Sequence, residues 1–466
     1  MNVIVLLADG VRSDTFAAAV ASGAFPALAR LRSDGGQFEI TSAFPSVTGP
    51  AYAPFLLGRF PGGVGLPGLR WFDRSRSTCR FPDYSRSYAG YQLALLDSDL
   101  DAGAPTIFEL VRGSVGALSV ITRGLSRQGR VMALTPRTAL RAALTHYLGD
   151  PRAMLDVDRK IGREVVARAG QTPFLFAAFG GVDKLSHAEG HDGPGVFDAL
   201  RIVDDTVGAL RHDLERRGVW QNARLWISSD HGHSRVTQHE DLAGLISERG
   251  HRVMAHPWVY RLRPEVAVMV SGNAMAHVYV DVTQRERPFL GRLTARWQAL
   301  VDDLLARPSV DLLLAPIDAS RCAVMSRMRG TAIVTRANGC YWYLMQTGDP
   351  LGLGRGVHGA SATLAHDACG RTPYPDALVQ IAAIAGAPRS GDLILSAAPD
   401  WDFRSRFEPS PHRSTHGALL REHMLVPLLM SHAAARTPRR TADVMPSALT
   451  AIGCALPAGL DGESFV

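Results

Sequence analysis

Three stretches of this chain are apolar without interruption: Val3 to Leu7, Phe174 to Phe179 and Leu225 to Ile227. None alternates with polar residues, which suits strands of a parallel sheet buried on both faces. Each run leads within a few residues to an acid near glycine, in Ala8-Asp9-Gly10, Gly180-Gly181-Val182-Asp183 and Ser228-Ser229-Asp230-His231-Gly232. An open α/β sheet binds its ligands beyond the carboxyl ends of its strands. Asp9, Asp183 and Asp230 are therefore expected at one crevice, where they repel one another unless a cation neutralises them. The pattern asks for metal.

Helical periodicity is read over Pro26 to Arg32 and over Gly195 to Arg217, and most of Thr106 to Ala169 reads as helix, with Ala117 to Thr122 as a possible strand. Between about residues 240 and 375 the texture changes. Met269 to Thr283, Val310 to Leu314, Thr331 to Thr335 and Cys340 to Gln346 read as short strands, with one helix over Phe289 to Arg307. The earlier pattern returns with a helix over Asp376 to Ile384, strands over Asp392 to Ser396 and Met424 to Met430, and a last helix from Thr441. The expected fold is α/β: a mainly parallel central sheet flanked by helices, built from residues 1–240 and 376–466, with a smaller α+β subdomain, 241–375, inserted beside it.

The segment Phe44-Pro45-Ser46-Val47-Thr48-Gly49-Pro50 turns an extended stretch into an apolar helix over Ala51 to Leu57. Thr48 is thereby placed at a helix N-terminus, where open N–H groups and the dipole favour a phosphate oxygen. The same position suits a plain N-cap. Next comes a loop rich in Gly and Pro, Pro61 to Gly68, and then Leu69-Arg70-Trp71-Phe72-Asp73-Arg74. Arg70 and Arg74, with Tyr52, are candidate contacts for the phosphate and organic group of a substrate, since a guanidinium fork pairs with phosphate oxygens. A packed surface loop reads the same way.

Composition narrows this little. The 466 residues allow a large core, and 46% hydrophobic with 20% charged residues is the balance of an ordinary globular enzyme. The net charge of +6 does not mark a nucleic-acid polymer as partner, because the basic residues are scattered and only Lys160 and Lys184 are lysines. Five cysteines without a C-x-x-C pair indicate neither a disulfide framework nor a cysteine-bound zinc, which fits a reducing, cytoplasmic setting. Met1 to Leu7 has no basic n-region, and no apolar run approaches the roughly 18 residues of a membrane span.

Two Asp/His pairs complete the candidate chemistry. Asp183 and His187 are four apart, and His231 follows Asp230; carboxylate with imidazole suits zinc and related divalent ions. Strand-Asp9-Gly10, Phe44-Pro45-x-x-Thr48, Asp183-x-x-x-His187, Asp230-His231-Gly232 and Thr415-His416-Gly417, followed by the tail Asp443 to Leu449 and Leu460 to Ser464, run in one order over nearly the whole chain. In that order the sequence resembles the alkaline phosphatase superfamily, and within it the type I phosphodiesterase and nucleotide pyrophosphatase branch. The resemblance implies two divalent metal ions, zinc foremost and manganese next, one held by Asp9, Asp230, His231 and the Thr48 hydroxyl, the other by Asp183, His187 and His416. It implies attack by Thr48 on phosphorus in a small-molecule phosphate ester and a phospho-threonine intermediate, since a bare threonine hydroxyl is a poor nucleophile and contact with metal lowers its pKa. The chain departs from the family at Ala51, where diesterases and phosphonate hydrolases usually carry an asparagine whose amide helps bind a phosphoryl oxygen. Phosphodiester or pyrophosphate hydrolysis is the leading expectation. A phosphomonoesterase, a phosphonate hydrolase or a phosphotransferase is the same-fold alternative; a sulfatase is disfavoured by Thr48 in place of Cys or Ser, and an inactive binding protein by the full set of ligands.

Overall fold

Each apolar run becomes a strand. A computed structural model describes residues 1–76, 84–132, 149–256, 263–408 and 412–466. Asn2–Ala8 lies near the centre of a seven-stranded sheet whose order is Gln37–Thr41, Leu425–Met430, Ala223–Ser228, Asn2–Ala8, Phe174–Phe179, Val115–Ala117, Arg130–Val131. The last five run parallel. Leu425–Met430 is antiparallel to Ala223–Ser228, and Gln37–Thr41 is antiparallel to Leu425–Met430.

Alternate residues of Asn2–Ala8 enter different layers. Ile4, Leu6 and Ala8 pack with Phe16, Leu28, Leu185 and Val203 on one face, and Val3, Val5 and Leu7 pack with Tyr52, Phe55, Trp226 and Met445 on the other. Burial on both sides is why the run has no polar position. Helices Ser13–Ala21, Pro26–Gly35, Ala153–Arg168, Gly181–Glu189 and Pro194–Arg216 cover the first face, while Ala53–Leu57 and Val444–Ile452 cover the second. The fold is thus an α/β layer structure with helices on both faces of a mainly parallel sheet, as expected.

A second sheet has nine strands, in the order Val253–Met254, Val266–Ser271, Met275–Val280, Leu393–Ala397, Val310–Pro316, Arg321–Ser326, Gly330–Ala337, Cys340–Met345, Val357–Ala360. All neighbours are antiparallel except the first pair. Helices Leu290–Leu305 and Ala377–Ala385 share its apolar core. The expected return of the chain to the first sheet at residue 376 is corrected here: Leu393–Ala397 pairs with Met275–Val280 on one side and Val310–Pro316 on the other. An apolar strand of five residues fits either sheet, and only long-range pairing decides between them. The chain rejoins the first sheet at Leu425–Met430.

The described residues of 106–169 are also less helical than their periodicity suggests. Val115–Ala117 and Arg130–Val131 extend the parallel sheet, Ile107–Leu110 is a single short helix, and Ala153–Arg168 is the long one; residues 133–148 lie outside the described part of the chain. A third, small sheet joins Asp400–Asp402, Ser234–His239 and Ser414–Thr415. It pairs Thr415 with Ser234 and Ser414 with Arg235, which brings the segment before His416 against the segment after His231.

Candidate active site

The parallel register sets three chain segments at one edge. Leu7 pairs with Ala178 on one side and Ser228 on the other, so Asp9, Gly180 and Ser229-Asp230 leave their strands together. The Asp9 N–H donates to Phe179 O at 3.0 Å, Gly10 N–H to Asp230 Oδ1 at 3.2 Å and Val11 N–H to Ser229 Oγ at 3.0 Å. Gly10 has φ +78, and a Cβ there would stand 2.9 Å from His233 Nε2 and 3.0 Å from Asp183 Cα. Both the left-handed backbone and this close approach require glycine. Helix Gly181–Glu189 places Asp183 in its first turn and His187 one turn later on the same side. Asp158 fixes the helix start by accepting the Gly180 and Gly181 N–H groups at 3.0 and 2.8 Å.

Two sets of side chains face one another across this edge. Asp9, Asp230 and His231 form one, and Asp183, His187, His233 and His416 the other; within each set the ligand-capable atoms lie within 4.8 Å of one another. Thr48 joins the first set, donating its hydroxyl to Asp9 Oδ1 at 3.0 Å with His231 Nε2 at 3.1 Å. The His231 and His416 rings stack with centroids 3.8 Å apart, which ties the two sets together.

Electrostatics disfavour this arrangement without cations. Burial, then the charges of Asp230 and Asp183, hold the Asp9 carboxyl well above the usual carboxylate range. Burial, then Asp183, pushes Asp230 up to about 7. Burial depresses the imidazoles, His233 to about 3, and also lowers His231 and His416. His187, His231 and His416 each turn Nδ1 to a backbone carbonyl, of Ser414, Gly232 and Ser46, at 2.9, 3.2 and 2.9 Å. A carbonyl only accepts, so Nδ1 carries the proton and Nε2 presents a lone pair.

Those lone pairs point at carboxylates. His187 and His416 Nε2 stand 3.3 and 3.6 Å from Asp183 Oδ1; His231 Nε2 is 3.4 Å from Asp230 Oδ2 and 3.6 Å from Asp9 Oδ1. Asp230 Oδ2 is buried with no hydrogen-bond partner. Acceptors facing acceptors at these spacings fit metal ligation, because two atoms each about 2.0–2.1 Å from a tetrahedral zinc are about 3.3 Å apart. The residues present therefore fit divalent cations.

Other candidate residues sit differently. Tyr52, buried, donates its hydroxyl to Asp9 Oδ2 at 2.9 Å and so orients a carboxylate of the site. Arg74 is tied away from the crevice: Nη1 donates to Asp281 O and Gln284 O at 2.9 Å, and Nη2 to Val280 O at 2.8 Å and to Asp392. Arg70 donates to Val270 O at 3.2 Å and Ser87 Oγ at 3.4 Å, pinning the Arg70–Phe72 hairpin to the second sheet. Thr48 precedes a 3₁₀ turn, Pro50–Tyr52, instead of entering the helix directly. The Ala51 and Tyr52 amides bond to Val47 O and Gly49 O, and Pro50 has no N–H, so these three residues aim no donor at a phosphate. Ala51 is fully buried.

His233 joins the second set although no motif in the sequence marks it as a ligand. The sequence has several further histidines near the motifs, His191, His233, His239, His256, His358 and His412. Of these, His239 bonds Asp402 and His256 bonds Ser85, while the His412 ring lies 4.1 Å from that of His187. Only the spacing in Asp230-His231-Gly232-His233 could have pointed to His233, since a strand beginning at Ser234 turns it inward.

A family model described as type I phosphodiesterase / nucleotide pyrophosphatase matches residues 3–302. A comparison with curated proteins finds no significant match. Among solved structures, phosphonoacetate hydrolase from Sinorhizobium meliloti 1021 in complex with phosphonoacetate superposes with a TM-score of 0.59 at 14% identity, covering 97% of this chain and 96% of that one. Human ectonucleotide pyrophosphatase / phosphodiesterase 5 gives 0.59 at 14%, covering 99% and 97%. A mutant of alkaline phosphatase PafA gives 0.63 at 12%, again covering 99% and 97%. At such identities the likeness is one of fold.

Proposed function

Because the chain belongs to the type I phosphodiesterase / nucleotide pyrophosphatase family and is a phosphoric ester hydrolase of that type, we infer that it cleaves phosphodiester or pyrophosphate bonds of a small molecule with Thr48 as nucleophile and two divalent ions, zinc foremost, as cofactors. The observation that carries this reading is the Thr48 hydroxyl, within 3.1 Å of both Asp9 Oδ1 and His231 Nε2. Asp9, Asp230, His231 and Thr48 would hold one ion, and Asp183, His187 and His416 the other. Ions bound there supply Lewis acidity and lower the pKa of a coordinated hydroxyl.

The chain's own residues do the rest. Asp9 Oδ1 accepts a hydrogen bond from the Thr48 hydroxyl and sets the direction of Oγ1; the hydroxyl's proton passes to solvent, from which the departing ester oxygen takes one up. Oγ1 bonds to phosphorus as the ester oxygen on the opposite side leaves with the electron pair of the broken bond. Phospho-threonine results, and water then cleaves its P–O bond, returning the Thr48 hydroxyl and a phosphate monoester. Tyr52 keeps Asp9 in place meanwhile.

The test compares wild type with Thr48→Ala on bis-p-nitrophenyl phosphate and p-nitrophenyl phosphate, with metal content measured alongside. About two ions per chain, and diester turnover lost in the variant, support the reading. A monoester preference would move the enzyme to a phosphatase-like activity, in keeping with apolar Ala51. No metal and no cleavage would refute it.

A further inference from the structure

Hydrogen bonds fix which nitrogen His233 presents. A serine hydroxyl has one proton, and Ser414 Oγ spends it on Ser186 O at 2.6 Å. Toward His233 Nδ1, 3.1 Å away, the same oxygen is then an acceptor. The proton of the neutral ring therefore sits on Nδ1. His233 Nε2 is left with a lone pair aimed at Asp183 Oδ1 from 3.1 Å, and His233 is fully buried. Two acceptors held at that distance repel unless a cation lies between them. His187 and His416 present Nε2 lone pairs to the same oxygen, so His233 is the third imidazole around it.

We propose that His233 is a fourth protein ligand in the Asp183 half of the site, and that it makes the two halves chemically unequal. The proposal rests on the two-metal reading above. One half offers three imidazole nitrogens and a carboxylate; the other offers one imidazole, two carboxylates and the Thr48 hydroxyl. Imidazole-rich sets select zinc over harder ions, whereas carboxylate and hydroxyl sets accept manganese and magnesium. Four protein donors close a tetrahedral ion, as in structural zinc sites, while a set completed by a nucleophile or substrate stays exchangeable. The Asp183 half therefore retains zinc, and the Asp9 half trades its ion with the medium.

The test uses the full chain, stripped of metal and reloaded with Zn²⁺, Mn²⁺ or an equimolar mixture, with ions per chain counted by mass spectrometry after desalting. Wild type should take one zinc and one manganese from the mixture, and should release one ion rapidly and the other slowly to a chelator. His233→Ala should raise the zinc dissociation constant of the slow site by more than the about 10–100-fold that losing an outer partner of a ligand costs, and merge the two release phases. One equivalent of Co²⁺ in wild type should give the intense visible bands of a tetrahedral ion, a readout that needs no variant to fold. Weak five- or six-coordinate cobalt bands, or unchanged zinc release in a folded His233→Ala, would overturn the proposal while leaving two bound ions in place. Wild type that binds no ion would instead refute the two-metal reading itself.

Discussion

Replacing Tyr52 by phenylalanine separates two roles for this residue. Its hydroxyl is 2.9 Å from Asp9 Oδ2, and its ring packs edge-on against Phe176 with centroids 5.6 Å apart. Phenylalanine keeps the ring and its volume, so no cavity opens. What is lost is one hydrogen bond to an ionised group, worth about 1.5–3 kcal/mol. That is roughly a 10–150-fold change in an equilibrium constant, within the range for removing a partner that orients a ligand. The Asp9 half of the site should accordingly bind its ion about 10–100-fold more weakly, and kcat measured at limiting metal should fall in proportion. KM should move little, and saturating metal should restore much of the rate. Competition with a fluorescent chelator gives the affinity, and steady-state kinetics at several metal concentrations gives the rest. If Tyr52→Phe binds metal as wild type does but raises KM, Tyr52 contacts substrate and its assignment to Asp9 is wrong.

Further outcomes follow from other contacts. Asp9 and Asp230 must be ionised to hold metal but have raised pKa values, Asp230 about 7, so metal affinity should climb as pH rises from 5 through about 7, and a flat profile would contradict this. In the metal-free protein an acid raised in this way contributes stability that is present below its unfolded value and lost as pH rises through about 7. The buried histidines, His233 with a pKa near 3, act in the opposite sense. The stability gained by Asp230→Asn over wild type, both without metal, should therefore grow between about pH 4 and 7 in urea titrations. Arg74→Met removes the nearer of two arginines from Asp392, whose pKa burial already pushes up to about 6, and leaves it Arg287 at 3.8 Å and the Val280 N–H; the cost should fall below the about 3–5 kcal/mol of a wholly unpaired buried charge, so the melting temperature should drop while KM holds, and a raised KM with unchanged melting would return Arg74 to the substrate. Asp158→Ala removes the acceptor of two N–H groups at the start of Gly181–Glu189 and should cost about 0.5–2 kcal/mol in chemical denaturation, with looser metal retention because that helix carries Asp183 and His187.

How much of this is legible in the sequence depends on the range of the forces involved. Val3 to Leu7 and Phe174 to Phe179 announce themselves because burial on both faces removes every polar residue, a condition read locally. Pro194–Arg216 does so through its helical repeat. Val115–Ala117 and Arg130–Val131 are too short for any period to register: the first meets the start of the strand expected over Ala117 to Thr122, and the second falls in a stretch whose pattern reads as helix. Leu393–Ala397 has the composition of a core strand and belongs to the other core. Arg70 and Arg74 are indistinguishable from phosphate-binding arginines until their acceptors are seen.

By itself the sequence determined the strand ends and the identity of the residues standing there: Asp9, Asp183 and Asp230, with His187 one helical turn from Asp183 and Thr48 at a glycine-proline turn. These follow from spacing along one element, which nearest-neighbour sterics and burial fix. Tertiary structure alone decided that Leu7, Ala178 and Ser228 share one level of the sheet, so that the acids converge. It also decided that Ser414-Thr415 pairs with Ser234-Arg235, setting His416 and His233 about one oxygen. The reason is physical: donor atoms brought together from residues as distant in sequence as Asp9 and Asp230, or Asp183 and His416, owe their few-ångström spacing to sheet register and packing, to which no local pattern is sensitive.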